Sequence, residues 1–244
     1  LIIGNFHHKN QEGLNAILKY KQIEYKYGSI NDIPNYDLIY CPSRPVDSSQ
    51  YPTKKFIFGP HFSVFPNQSL QQINNIHNNS VYIQPSDWTQ KIWISMNAHL
   101  LLPIKIFAFP VNTNLFNTTS DVKDSVILYT KHRKQPDIHY ILNFLSKQNI
   151  QPIIFDYAKR YDQNDFIDKL HKCKYAIVVG AHESQGFAIE EMMACNVPLL
   201  VWSTKYMSQE VGPTYNDIPC TSIPYWDERC GEFFIEPRDL INTY

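Results

Sequence analysis

Between Ala181 and Trp202 the chain reads AHESQGFAIEEMMACNVPLLVW, with two carboxylates, Glu183 and Glu191, eight positions apart and Gly186 between them. An apolar run, KYAIVVG, precedes the stretch and another, VPLLVW, closes it. The pattern predicts a buried strand, a loop at its carboxyl end and a helix starting near Phe187. Gly186 permits a tight turn and the close approach of a ligand. The first-turn N–H groups of a helix carry partial positive charge and form an anion site. Carboxylates on either side of such a site accept hydrogen bonds from ligand hydroxyls. Together these features suit a ligand with an anionic group and vicinal hydroxyls. The competing reading is plainer: Glu183 on a surface loop, with Glu190 and Glu191 solvated on a helix face.

Other candidates follow strand-like runs. In ILYTKHRK, Lys131 and Arg133 stand just past an apolar run. An Arg fork matches phosphate oxygens and a Lys acts as a point charge, so the pair suits a diphosphate. Near the start, GNFHHKNQEG places Gly4 in a strand-to-helix turn and His7, His8 and Lys9 after it. His61, in FIFGPHFS, stands at the carboxyl end of another strand-like run. Adjacent histidines rarely ligate one ion, and no carboxylate or cysteine stands at ligand spacing, so no metal is expected.

The elements that must position these residues alternate. Strand character recurs at 1–4, 23–27, 37–41, 54–59, 80–85, 104–109, 125–130, 151–157, 174–180 and 197–202. Several of these are continuous apolar runs, which suits strands covered on both faces. Helix-like segments lie between many of them: EGLNAILKYK, SLQQINNI, SDWTQKIWISM, DIHYILNFLSKQ and NDFIDKLHKC. In the last of these, Asn164 or Asp165 is the expected cap for an apolar stripe of Phe166, Ile167 and Leu170. Such alternation predicts parallel sheets flanked by helices. The composition shifts once, between Phe109 and Ser125, where Asn and Thr replace long apolar runs. The expectation is two Rossmann-like domains, 1–110 and 111–244, facing across a cleft, with ligands at the carboxyl ends of the strands.

Bulk properties exclude more than they assign. The 244 residues carry a formal net charge of -1, which gives no footprint for nucleic acid. No apolar run approaches the roughly 18 residues of a membrane span. Peripheral membrane contact is left open. No charged-then-apolar leader is visible, although the first residue is Leu1 and the start can lie upstream. The five scattered cysteines read as buried thiols in a reducing compartment, so a cytoplasmic location is expected. The chain contains no G-x-G-x-x-G and no G-x-x-x-x-G-K-[ST], which disfavours a dehydrogenase and a P-loop kinase.

The motif E-S-x-G-F-x-x-x-E followed by M-x-A-C-N-V-P-L-L-V resembles the glutamate-x7-glutamate motif of family 4 retaining glycosyltransferases and their relatives, which have the GT-B fold. Asn196 stands where that family often has Gly, a departure that a left-handed Asn accommodates. KIFAFPVNTNLFN resembles the family's inter-domain crossover, with Val111-Asn112-Thr113 in place of Gly-Val-Asp. YIQPSDWT resembles its PSEW segment, and PYWDERCGEFF looks like a subgroup motif of no assigned role. The resemblance spans most of the chain and is most specific in the second domain.

It implies a nucleotide-sugar donor, UDP- or GDP-linked, as substrate, and a glycan, lipid or protein acceptor, with no separate cofactor. Glu191 is implied on the ribose and Glu183 near the donor sugar. Gly186 and Phe187 N–H groups are implied on sugar or phosphate oxygens, and Lys131 and Arg133 on the diphosphate. Gly4 would belong to the first domain's loop, and His61 would match a histidine at the donor sugar. Both carboxylates are expected at the cleft mouth, outside the core. A nucleotide-sugar 2-epimerase of the same fold and a non-catalytic nucleotide-sugar-binding partner protein remain as alternatives.

Overall fold

The computed structural model describes residues 1–66, 78–208 and 215–244. The expected helix SLQQINNI lies outside the described residues. The chain divides into two compact units, Leu1–Pro110 and Val111–Tyr244.

In unit 1 a six-stranded sheet is built from β1 (Ile2–Ile3), β2 (Tyr27–Gly28), β3 (Leu38–Cys41), β4 (Lys55–Phe58), β5 (Ser80–Gln84) and β6 (Ile104–Ile106). The order is β2-β1-β3-β4-β5-β6, and every pairing is parallel. Helix α1 (His8–Tyr20) joins β1 to β2, and α2 (Asp87–Ser95) joins β5 to β6. The Ser86 hydroxyl and Thr89 close a capping box at the start of α2, satisfying N–H groups that a helix end leaves without partners. Aromatic side chains fill this core. Tyr82 stacks on Trp93 with centroids 4.0 Å apart, and Phe56 stacks on Phe58. The run 23–27 yields only the two-residue β2, because Ile23, Tyr25 and Tyr27 are exposed and have no sheet face to cover.

Unit 2 has a five-stranded parallel sheet of β7 (Ser125–Lys131), β8 (Ile153–Asp156), β9 (Cys173–Gly180), β10 (Leu199–Trp202) and β11 (Gly231–Phe234), in the order β11-β10-β9-β7-β8. Its helices are α3 (Gln135–Lys147), α4 (Gln163–His171), α5 (Phe187–Ala194) and the short α6 (Leu240–Thr243). Alternation along the strands divides the core into two layers. Ile127, Tyr129, Ala176, Val178, Leu199 and Val201 pack with Phe166 and Leu170 of α4 and Met192 of α5. Leu128, Ile177, Val179, Leu200 and Trp202 pack with Ile141 and Leu145 of α3 and Leu240 of α6. The sheet is therefore covered on both faces, which is why its strands read as unbroken apolar runs.

Two details differ from the sequence reading. The cap of α4 is Asp162, whose carboxylate accepts from the Asp165 N–H, so the helix starts two or three residues earlier than Asn164 or Asp165 would set it. Strand β11 lies within GEFF, a segment not expected to be a strand. It is an edge strand that buries only Phe234, so it carries almost no apolar pattern.

Both sheets are of the Rossmann-like parallel α/β type. In each, chain order reverses at one place: between β1 and β3 in unit 1, and between β7 and β9 in unit 2. Crossovers leave such a point in opposite directions and open a crevice at the carboxyl ends of the strands. Among the described residues, no helix is long and apolar enough to cross a membrane.

Candidate functional sites at the two switch points

The switch point of unit 2 is framed by Lys131, the last residue of β7, and by the loop that leaves β9 at Gly180. The Ala181 N–H donates to the Lys131 carbonyl at 2.8 Å, locking the two strand ends together. Two residues on, Glu183 turns its carboxylate toward Lys131, and Lys131 Nζ donates to Glu183 Oε2 at 2.7 Å. The carboxylate is 9% exposed and the ammonium 21%. Lys131 also lies over the Tyr157 ring, 4.7 Å from its centroid. A cation held by an ion pair on one side and an aromatic face on the other has little rotamer freedom left to lose when a ligand arrives. The Glu183 N–H donates to the Thr221 carbonyl at 2.9 Å, so the backbone of the loop is tied down as well.

Gly186 precedes α5 with φ +87°, a left-handed conformation that L side chains rarely adopt. The turn it makes sends the chain from the Glu183 loop into the helix, with Phe187 as first residue. Gln185 is buried and donates to Glu190 Oε2 at 3.0 Å, bracing loop against helix. Glu191 is 2% exposed. It is thus a buried residue of α5, contrary to the expectation of a carboxylate outside the core. The cause lies in the helix: Ala188, Ile189 and Met192 are buried around it, and an eight-residue segment this apolar has little outer surface to offer. Two phenols sit close to the carboxylates. Burial, then Tyr161 and Glu183, holds the Tyr129 phenol far above its ordinary range. Burial and the charges of Glu191 and Glu183 push the Tyr161 phenol up to about 12. Both rings therefore stay protonated at neutral pH and can donate.

Arg133 behaves differently from Lys131. Its side chain is 4% exposed, and Nε donates to Asp137 Oδ2 at 2.7 Å. Nη1 donates to the Gly180 carbonyl at 3.0 Å and to the Trp202 carbonyl at 3.4 Å. The guanidinium lies over the Trp202 ring, 4.7 Å from its centroid. One side chain thus gathers the carboxyl ends of β9 and β10 and the first turn of α3. The sequence reading set Arg133 beside Lys131 on a diphosphate. The structure employs Arg133 as a brace for the strand ends that carry the site.

Gly4 and His61 belong to unit 1, whereas the other six expected residues belong to unit 2. Gly4 closes β1 with φ +107°, and Ser43, in the loop after β3, donates from its hydroxyl to the Asn5 carbonyl at 2.8 Å. His61 follows β4, and its N–H donates to the Pro42 carbonyl at 2.8 Å. The turn before it depends on Gly59, where a Cβ would meet the Tyr82 ring at 2.5 Å. The rings of His7 and His8 lie 4.7 Å apart, and His7 lies 6.3 Å from His61. His61 is exposed as a residue, yet the protein packed around its ring lowers its pKa below the ordinary value by desolvation. Among the described residues, no group of three or more His, Cys, Asp or Glu side chains is arranged to hold a metal ion.

Tyr157 and Thr221 contribute to the unit 2 site without having been anticipated. Tyr157 had a signal, since it directly follows the strand run IIFD and so reaches the carboxyl edge. Thr221 had none, because it enters only through its backbone carbonyl, which accepts the Glu183 N–H across 38 residues of chain. No protein-family model matches this chain, and a search of curated proteins finds no match.

Proposed function

We propose that the chain is a GT-B retaining glycosyltransferase that moves a sugar from a nucleotide-sugar donor to a glycan, lipid or protein acceptor. The observation that carries this reading is the Lys131–Glu183 pair at the switch point of unit 2, one turn from the Gly186 start of α5. A fixed cation, a helix N-terminus and a carboxylate within one loop suit a donor that is anionic at its diphosphate and hydroxylated at its sugar.

In this reading Lys131 and the first-turn N–H groups of α5, Phe187 among them, receive the diphosphate. Glu183 accepts from sugar hydroxyls. Glu191 takes the ribose, and a hydroxyl that reaches it does so at the floor of the site. The acceptor oxygen bonds to the anomeric carbon on the face that the diphosphate leaves. The carbon–oxygen bond to phosphate breaks with its electron pair on the leaving group, and the acceptor proton passes to a phosphate oxygen. Charge that develops on the diphosphate is then met by groups already in place, a stabilisation worth roughly 3–4 kcal/mol per well-placed donor.

Calorimetry with uridine and guanosine diphosphates and their hexose conjugates tests the reading. Lys131→Ala is expected to weaken diphosphates at least tenfold and leave the free nucleoside unchanged. Glu183→Gln removes the anion beside Lys131, so it should bind diphosphate at least as tightly as the parent while losing donor turnover. Slow release of nucleoside diphosphate from the donor separates a transferase from a binding partner. If the parent binds none of these ligands, or Glu183→Gln turns over like the parent, the reading fails.

A further inference from the structure

Unit 2 contains a second cavity at the carboxyl edge of its sheet, beyond the switch point, of about 480 Å³. Its base is the chain leaving β10, Ser203 to Tyr206. Its far wall is the segment Pro219–Ile223, which returns antiparallel to that chain. The Cys220 N–H donates to the Lys205 carbonyl at 2.9 Å, and Tyr206 bridges Pro219. Trp226 and Phe233 close it from the side of β11, their rings meeting edge to face at 6.0 Å.

The lining is unbalanced in a way that specifies a ligand. Tyr206 and Phe233 leave 46% and 44% of their surfaces open, and Trp226, Ile223 and Ile235 extend the same apolar wall. Lys205 is the one charged side chain among the lining residues described, it is exposed, and no ion pair of it is found among the described residues. Among the described residues, no carboxylate or carboxamide lines the cavity. The aliphatic hydroxyls are turned on one another or on a neighbour behind the wall: Ser203 and Thr221 meet at 3.5 Å, and Thr204 meets Ser222 at 3.4 Å, which leaves the Tyr206 phenol as the other hydroxyl of the lining. A pyranose would find few acceptors for its hydroxyls here, and a nucleoside diphosphate would meet a single cation. An apolar body with one negative group satisfies both halves of the lining. The volume falls within the roughly 300–1,000 Å³ of pockets that enclose a small molecule.

We propose that this cavity binds a single-chain amphipathic anion. Its hydrocarbon lies on Trp226 and Phe233, and its phosphate or carboxylate head pairs with Lys205 Nζ at the mouth. The site does not depend on the transferase reading, although the two share a wall. Thr221 accepts the Glu183 N–H, and the Ser222 hydroxyl donates to the Ala181 carbonyl at 2.6 Å.

Titration of the full chain with octyl phosphate, octyl glucoside and inorganic phosphate, all below micellar concentration, tests this. Octyl phosphate is expected to bind saturably at one site, octyl glucoside at least tenfold more weakly, and inorganic phosphate not at all. Lys205→Met should weaken octyl phosphate about tenfold and leave octyl glucoside unchanged. Phe233→Ser, at a half-exposed edge position, should weaken both with an unchanged unfolding midpoint. Saturating uridine diphosphate should leave the octyl phosphate affinity within twofold. Equal affinity for phosphate and glucoside heads would overturn the proposal, as would indifference to Lys205→Met, displacement by uridine diphosphate, or binding that never saturates.

Discussion

Replacing Arg133 by Met keeps most of the apolar stem and removes the guanidinium, which separates bracing from ligand binding. Three acceptors lose a partner: Asp137 at 2.7 Å, the Gly180 carbonyl at 3.0 Å and the Trp202 carbonyl at 3.4 Å. Breaking a buried ion pair from one side costs about 3–5 kcal/mol, because the charge left behind is uncompensated. Asp137 keeps 25% of its side chain exposed, so water recovers part of that loss. The Gly180 carbonyl keeps only the long contact from the Ser222 hydroxyl at 3.5 Å, so its loss falls at the low end of the about 1–3 kcal/mol of an unmet buried acceptor. A destabilisation of about 3 kcal/mol follows, which for a chain of this size lowers the melting temperature by roughly 6–12 °C. Lys131→Met is the control. It leaves Glu183, whose side chain is 9% exposed, without its cation, so it too should cost about 3 kcal/mol, but unlike Arg133→Met it should also weaken uridine diphosphate. The assay is thermal unfolding followed by circular dichroism and by tryptophan fluorescence, which reports on Trp202 beside the guanidinium. Calorimetric binding is measured on the same samples. If Arg133→Met melts within about 2 °C of the parent and loses diphosphate binding at least tenfold, Arg133 is a ligand-binding residue and the bracing role is wrong.

Three further outcomes are expected. Burial pushes the Cys41 thiol up to about 12 and those of Cys173 and Cys195 up to about 11, so these three should resist a thiol reagent in the native protein. Cys220 and Cys230, both half-buried, should be labelled first, and mass mapping that finds Cys41 among the early adducts would contradict the fold of unit 1. The folded-state pKa of His61 lies below 6.5, so the unfolded chain binds the extra proton and stability falls as pH drops through 6.5. The urea midpoint of the parent should therefore fall more between pH 7.5 and 5.5 than that of His61→Gln, and equal losses would remove His61 as the cause. Asp162→Ala deletes the cap of α4 and should cost about 1 kcal/mol in urea unfolding, whereas Asn164→Ala should be close to neutral; the reverse ranking would return the cap to Asn164.

The alternation of elements was legible in the sequence because a strand covered on both faces must be apolar at every position. The runs at 125–130, 174–180 and 197–202 correspond to β7, β9 and β10 for that reason. The helix stripe of Phe166, Ile167 and Leu170 was legible too, since period 3.6 follows from helix geometry alone. Signals of this kind are local. β11 has none, being an edge strand whose Glu232 and Phe233 face water and whose existence depends on β10 lying beside it. The location of the unit 2 site was legible in part. Glu183, Gly186 and Glu191 share one segment, and Lys131 ends a readable strand. Their relation was not legible, because the Lys131–Glu183 contact spans 52 positions and exists only once β7 and β9 pair.

The same limit applies to Arg133. As residue types, Lys131 and Arg133 are equivalent candidates for a phosphate, two cations two positions apart. Tertiary structure alone separates them. A backbone step turns Lys131 to the Glu183 loop and Arg133 to the carbonyls of Gly180 and Trp202, which come from strands 47 and 69 positions away. Sequence by itself determined which segments bury apolar surface, since burial depends on composition and period. Which cation pairs with the Glu183 loop and which braces the strand ends was decided only when distant strand ends met, because an ion pair is settled by distance in space and not by distance along the chain.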